Sequence, residues 1–411
     1  MGKHPNVGFL EETMIPRQKD HYRVHIVGLS HLPVSRKYMG CAFSQKHYKL
    51  AKMLMDLGHE VYVYGAEGGD VPCTEYIETH TLADINDAWG DGDNRFDIGY
   101  DWRKGMFRHD INKDKTATTK KFYANAIKEI NKRKEDDDFL MIMQGYYNKE
   151  IADAVGLFLT MEPGIGYRGS VSKLNNGRTV YRGFESSYIM NYTYGRENAK
   201  NNSTANGAYY DRVFPNYFEK EDFTFKEKKE DYFFFIGRLI YRKGVQTAIE
   251  TAKALNTKLI IAGQLDDNEK IDMSDPLVEY VGYVDPEKRT ELMANARACF
   301  IPTYYLEPFG GTNVEAQLCG TPVLTTDFGA FLDTVVQGVT GYRCHTLNDF
   351  IACAKIVDKL DPKVIRKHAE RYLTDNMKWE LEDWMRELYQ VYLSATVPDT
   401  KGWHYVDNDI I

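Results

Sequence analysis

Two separate stretches of this chain alternate strand-like apolar runs with helical spacing, and that alternation confines the fold to parallel sheets covered by helices. In the first stretch, residues 23–29 (RVHIVGL) read as a buried strand. Residues 43–57 then carry Leu50, Leu54 and Leu57 at helical spacing and stop at Gly58, and residues 60–64 (EVYVY) return to strand. Further strands are expected at 139–143 and 157–160, with helices at 115–133, 148–155 and 185–194. Residues 70–110, rich in Asp, Gly and Trp, read as an irregular insert, and 164–207 as mostly loop. The second stretch begins at Tyr232, with strands at 232–236, 258–262, 279–281, 298–301 and 322–324 and helices at 245–255, 286–296 and 311–318.

Strands joined through helices must lie parallel, with the helices on both faces of the sheet. We therefore expect an α/β protein of two doubly wound, Rossmann-like domains facing across a cleft. Residues 1–216 form the first and 217–375 the second, joined through the charged segment 218–231. The amphipathic tail, 376–411, would pack back on the first domain. The 411 residues are too many for one ordinary core.

Composition narrows the function classes. A net charge of −8, from 52 Lys and Arg against 60 Asp and Glu, argues against a general nucleic-acid binder. No apolar run approaches the ~20 residues of a membrane span. The start lacks the apolar core of a signal peptide. The six cysteines form no C-x-x-C pair. These features point to a reducing, cytoplasmic setting.

The chemistry concentrates in two segments. Residues 302–323 place Glu307 and Glu315 eight positions apart around a Gly-Gly turn that opens a short helix. The turn lets backbone N–H groups approach an anion at a helix start, and carboxylates can grip hydroxyls, so the segment suits a phosphate-bearing polyol such as an activated sugar. Residues 235–245 (FIGRLIYRKGV) end a strand at Gly237 and put Arg238 and Lys243 at its carboxyl end, where a diphosphate would meet a bidentate guanidinium and a compact ammonium. Arg242 reads as the surface member of the group. The G-x-G-x-x-G at 164–169 sits too late in its domain and lacks the apolar helix that a dinucleotide site needs, so it reads as an acceptor-side loop.

Over residues 232–342 the pieces FIGRLIYRKGV, KLIIAG, VGYV, EPFGGTNVEAQLCGTPV and GVTGY resemble, in order and spacing, the C-terminal domain of retaining glycosyltransferases of the GT-B fold, family 4. The resemblance implies transfer of a sugar from a nucleoside diphosphate, a UDP-sugar ahead of a GDP- or ADP-sugar, with no cofactor and no metal. It assigns Arg238 and Lys243 to the leaving diphosphate, Glu315 to the ribose, and Glu307 with the amides of Phe309, Gly310 and Gly311 to the donor sugar. It also places the backbone near Tyr283 on the base, Gly237 in the donor site, and the helix-start amides of Thr312 and Asn313 on phosphate. In the first domain Gly40 matches a phosphate-loop glycine, with Ser44 and Lys46 as neighbours, or with Ser44 as a helix cap. Where relatives carry histidine the chain has Gln144 and Glu162. Glu162 is open to a role as sugar ligand, catalytic acid or base, or structural group. Gly164, Gly166 and Tyr167 complete the expected acceptor side. A vaguer similarity of 41–46 and 162–169 to glycosyltransferases of large viruses adds a modified DNA base to glycan and lipid as acceptors. The alternatives are a GT-B epimerase or a non-catalytic sugar-nucleotide binder.

Overall fold

A computed structural model describes residues 19–38, 41–89, 116–166, 169–200, 207–265 and 269–396. The first sheet is built from β1 (Arg23–Val27), β2 (Glu60–Ala66), β3 (Glu75–His80), β4 (Phe139–Ile142), β5 (Leu159–Ile165), β6 (Tyr181–Phe184) and β7 (Arg212–Val213). Its helices are α1 (Ala42–Asp56), α2 (Leu82–Trp89), α3 (Ala117–Arg133), α4 (Lys149–Val155) and α5 (Ser187–Lys200). All pairings are parallel, in the order β3-β2-β1-β4-β5-β6-β7.

The second sheet has the order β10-β9-β8-β11-β12-β13, again parallel throughout. It comprises β8 (Tyr232–Ile236), β9 (Lys258–Ala262), β10 (Val278–Gly282), β11 (Ala298–Ile301), β12 (Val323–Thr326) and β13 (Gly341–Cys344). Around it lie α6 (Val245–Ala254), α7 (Pro286–Asn295), α8 (Gly311–Leu318), α9 (Phe331–Thr334), α10 (Leu347–Ile356) and α11 (Pro362–Ala369), followed by α12 (Thr374–Thr396). Central strands such as β4 and β11 are buried along their whole length, as helices on both faces require. The expected pair of doubly wound domains is present.

Three expectations change. The described part of the supposed irregular insert holds β3 and α2. The edge strand β3 carries the polar alternation EYIETH, with only Ile77, Thr79 and His80 buried, so it lacks the apolar run of a central strand. The supposed loop region contains β6, and a further short strand, β7, follows it. Strand β5 does not stop at Thr160 but runs through Glu162, Pro163 and Gly164 to Ile165. A register shift between Pro163 and Ile165 lets the sheet absorb the proline.

The last helix, α12, buries Leu381, Trp384, Met385 and Leu388 in the core formed with β1, β2, β4 and β5 of the first sheet. His59 Nε2 lies 2.7 Å from Glu382 Oε2, and Trp384 Nε1 donates to the Tyr210 carbonyl at 3.0 Å. The chain therefore crosses between domains twice, and the two crossings pair. Phe218 N donates to Tyr372 O at 2.9 Å, and Thr374 N to Phe218 O at 2.8 Å.

Candidate active site

In each sheet the strand order reverses direction once, between β1 and β4 and between β8 and β11, and open α/β sheets receive ligands outside the carboxyl ends at that point. In the second sheet these ends carry Gly237 and Arg238 after β8 and the 302–310 loop after β11. The sequence thus puts its cations and its first glutamate on opposite sides of one crevice.

Their approach depends on Gly244. Its φ is +74°, and a Cβ there would lie 1.9 Å from the Pro302 carbonyl oxygen. Only glycine lets the Tyr241–Lys243 turn close against the loop after β11. Tyr304 N then donates to Arg242 O at 2.8 Å. Lys243 Nζ reaches Glu307 Oε2 at 3.0 Å and sits 4.9 Å from the centre of the Tyr305 ring. Arg238 is exposed and lines a cavity of about 650 Å3 with Tyr188, Tyr192, Arg242, Tyr304 and Glu307.

Helix α8 starts behind Gly310, which is left-handed at φ +78°. Free amides at a helix start favour anions. Asn313 departs from expectation here, because its N–H already donates to Gly310 O at 2.9 Å. Its side chain donates to Thr334 Oγ1 at 2.7 Å and accepts from Gln317. Asn313 thus braces the helix, and the amides of Gly311 and Thr312 form its open end. Phe309 is buried between Phe218 and Tyr372, which leaves its backbone as the part that can face a ligand.

Glu315, one turn into α8, lies 3.7 Å from the Arg289 guanidinium. With Tyr283, Arg289 and Gly311 it lines a cavity of about 350 Å3 whose opposite wall is Lys46, Lys49 and Glu185 of the first domain. Tyr283 is 43% exposed. Burial lowers the Lys49 pKa against the pull of Asp222, Glu219 and Glu315, and its ammonium lies 5.6 Å from the Phe218 ring centre. Sequence reading singled out neither Lys49 nor Arg289, and met Glu185 only as the acid following the rejected dinucleotide fingerprint. Lys49 was within reach, since it lies three residues after Lys46 and so shares its helix face.

The first-domain residues divide. Gly40 and Tyr167 lie outside the described residues. Ser44 neither caps α1 nor faces a ligand; its hydroxyl binds the carbonyls of Pro33 and Ser35 and accepts from Ser35 N. Gln144 follows β4, is buried, and its N–H donates to Asn148 Oδ1 at 3.1 Å. Glu162 lies inside β5 at 4% exposure, accepting from Val171 N at 3.1 Å. Burial pushes its carboxyl pKa up to about 8, with Val171 N–H and Arg182 opposing. Neither Gln144 nor Glu162 lines the two cavities above. Gly164 and Gly166 do approach the smaller one, through Lys46 and Glu185 respectively.

Among the described residues, three acids could share a metal ion: Glu135, Asp137 and Asp138. They precede β4, at the strand end away from the crevice, and Arg23, Lys19 and His25 already pair with them.

Comparison with known proteins agrees with this geometry. Residues 217–361 match the family model described as glycosyl transferases group 1. Glycogen synthase of Mycobacterium tuberculosis is 31% identical over 177 residues, covering 39% of this chain and 42% of that protein. The capsular polysaccharide biosynthesis glycosyltransferase CapM of Staphylococcus aureus is 29% identical over 184 residues, covering 39% and 46%. The chain thus spans less than half the length of these curated relatives. Among solved structures, sucrose-phosphate synthase from Thermosynechococcus elongatus superposes with a TM-score of 0.63 at 16% identity, over 90% of this chain and 100% of that one. The Anabaena protein HepE in complex with UDP gives 0.58 at 12% identity, over 89% and 100%. At these identities the likeness speaks for the fold, the two facing domains of the GT-B architecture. The segment that matches the glycosyl transferases group 1 model, residues 217–361, holds Arg238, Lys243, Glu307 and Glu315.

Proposed function

We propose that this chain is a retaining, metal-independent glycosyltransferase that moves a sugar from a nucleoside diphosphate sugar to an acceptor hydroxyl. The observation that carries the reading is that Arg238 and Glu307, the ion-pair partner of Lys243, line one cavity, with the open start of α8 following a few residues further along the same loop. Breaking the bond between the anomeric carbon and the diphosphate oxygen leaves an additional negative charge on the diphosphate. Arg238, Lys243 and the Gly311 and Thr312 amides stand where that charge develops, in place of a metal ion. The acceptor's proton passes to the departing phosphate oxygen, so no protein base is required. Glu315 holds the ribose, Tyr283 borders the base, and Glu307 holds the donor sugar. UDP is the first nucleotide to try, because the Anabaena neighbour is described with UDP bound. The acceptor, a glycan, a lipid or a modified DNA base, meets the donor sugar beside Glu307, where Tyr188, Tyr192 and Tyr304 of the same cavity offer faces to stack on.

Calorimetry with UDP, GDP and ADP should find one that binds, and binding of none would sink the proposal. A donor screen with mass detection, offering free sugars, lipid, glycan and hydroxymethylated DNA, should identify the acceptor. NMR of the product should then show the donor's anomeric configuration kept, and turnover should survive EDTA. An inverted product or strict metal dependence would contradict the mechanism.

A further inference from the structure

Arginine side chains in this protein are nearly all engaged. Arg23, Arg133, Arg182 and Arg297 pair with carboxylates at 2.7 or 2.8 Å. Among the described residues, only Arg196, Arg238 and Arg242 have a guanidinium with neither a hydrogen bond nor an ion pair, and all three are exposed. They are not scattered. Arg238 and Arg242 line the cavity of about 650 Å3 beside Glu307, and Arg196 lies 5.8 Å from the ring centre of Tyr192, which lines the same cavity from α5. Glu307, the acid in that lining, is already held by Lys243 at 3.0 Å. In a chain of net charge −8, this cavity therefore gathers positive charge that nothing neutralises. The smaller cavity differs, because it balances Lys46, Lys49 and Arg289 against Glu185, Asp222 and Glu315.

The walls of the larger cavity are held in place. Tyr188 and Tyr192 stand four residues apart on one face of α5, with rings stacked at 26° and centres 6.3 Å apart. The start of α5 is tied to the second domain. Ser187 N and Oγ donate to Asp333 at 2.8 and 2.7 Å, and Ser186 Oγ donates to the Pro308 carbonyl at 2.6 Å. On the facing wall the Tyr304 hydroxyl bonds Thr247 Oγ1, and Tyr304 N donates to Arg242 O at 2.8 Å. The Arg242 guanidinium lies 5.8 Å from the Tyr305 ring centre. Tyr192 and Tyr304 nevertheless remain 44% and 45% exposed. Open aromatic faces suit the apolar face of a sugar ring, and an unpaired guanidinium suits an anion carried on that ring. A long polyanion would also meet the surrounding negative charge of the chain, so a singly substituted sugar fits better than a nucleic-acid strand.

We propose that the acceptor is an acidic sugar, one whose ring carries a carboxylate or a phosphate. Arg242, with Arg196 from the first domain, receives that anion, and the tyrosines receive the ring. This rests on the glycosyltransferase reading above and names the class of its acceptor. Arg238 and Lys243 stay with the donor diphosphate, so the two anions that must be present together are kept on different cations.

The test is an NMR titration of the full chain, alone and with whichever of UDP, GDP and ADP binds. The probes are methyl glucuronide, glucose 6-phosphate and neutral methyl glucoside, on wild type, Arg242→Gln, Arg196→Gln and Tyr192→Ala. The better of the two charged probes should bind wild type about 10-fold tighter than the glucoside, and Arg242→Gln should remove most of that preference. Arg196→Gln should remove a smaller part. Tyr192→Ala should weaken all three probes alike, because it removes stacking and leaves the charge. The ranking of the two charged probes tells carboxylate from phosphate. Charged sugars that bind no better than the neutral one, or a preference that survives Arg242→Gln, would overturn the inference. So would a single-stranded oligonucleotide that binds more tightly than any of the sugars and depends on Arg242, which would make the acceptor a nucleic acid. If Arg242→Gln weakens nucleotide binding and leaves the sugar preference intact, Arg242 serves the donor, and this inference falls while the glycosyltransferase reading stands. If none of the three nucleotides binds wild type, that reading falls and this inference with it.

Discussion

Replacing Lys243 with alanine separates a catalytic cation from a structural one. Its ammonium is 3.0 Å from Glu307, with side-chain exposures of 22% and 14%. Partly solvated pairs contribute about 1 kcal/mol to stability, so the variant should melt within a few degrees of wild type. The effect on chemistry is larger. A unit charge at about 4 Å, screened by an effective dielectric near 20, interacts by about 4 kcal/mol. If somewhat more than half a charge reaches the diphosphate in the transition state, Lys243 contributes about 2–3 kcal/mol, or roughly 10²-fold in rate. Glu307, left without its partner, adds repulsion to the same anion. We expect kcat for donor hydrolysis or transfer to fall about 10²–10³-fold, with Lys243→Ala/Glu307→Gln recovering part of the nucleotide affinity but little of the rate. Steady-state kinetics beside a thermal melt decides the matter. A large drop in melting temperature with near-normal kcat would refute the assignment.

Three further outcomes follow from the same coordinates. Gly244→Ala places a Cβ 1.9 Å from the Pro302 oxygen at a left-handed φ. It should cost more than about 2 kcal/mol in denaturant unfolding and abolish diphosphate binding, and wild-type behaviour would show that the turn is not constrained. Glu162, with its pKa raised to about 8 by burial, keeps its proton when folded at pH values where the unfolded chain has lost it. Its penalty is absent below about pH 4.5, grows from there to about pH 8 and then levels off, so Glu162→Gln should gain stability over wild type at pH 8–9 and not near pH 5; a flat difference in pH-dependent melts would refute the burial argument. Trp384→Ala removes the largest fully buried side chain of α12 and should destabilise the first domain by about 3–5 kcal/mol, read by tryptophan fluorescence and calorimetric melting. Nucleotide binding by the second domain should persist below the new transition.

The second domain was legible because its central strands β8, β11 and β12 are buried almost throughout, its helices carry regular spacing, and its ligand-facing residues stand in short contiguous motifs. The sequence motifs set Lys243 and Glu307 on one crevice, and the two side chains pair at 3.0 Å. The first domain was harder to read for physical reasons. An edge strand such as β3 buries one face and so has no apolar run. Strand β5 continues through Pro163 and Gly164, residues that ordinarily end strands, so Glu162 was placed after a strand it lies within. Asn313 was expected to offer its amide to phosphate, but backbone geometry gives that amide to Gly310. An ion pair between Lys46 and Glu185 joins α1 to the start of α5, and nothing local to either residue announces the other.

The return of α12 to the first domain bears on how the chain is made. The β1, β2, β4 and β5 core is closed by Leu381, Trp384, Met385 and Leu388, which lie close to the end of the described chain. On a ribosome the second domain, whose own core residues run from Phe218 to Leu373, has all its parts first. The half synthesised earliest must wait with an open apolar face until the last helix emerges. Order of synthesis and order of completion are thus reversed, and a chain stalled or cut near residue 373 would keep a finished second domain attached to an uncapped, aggregation-prone partner.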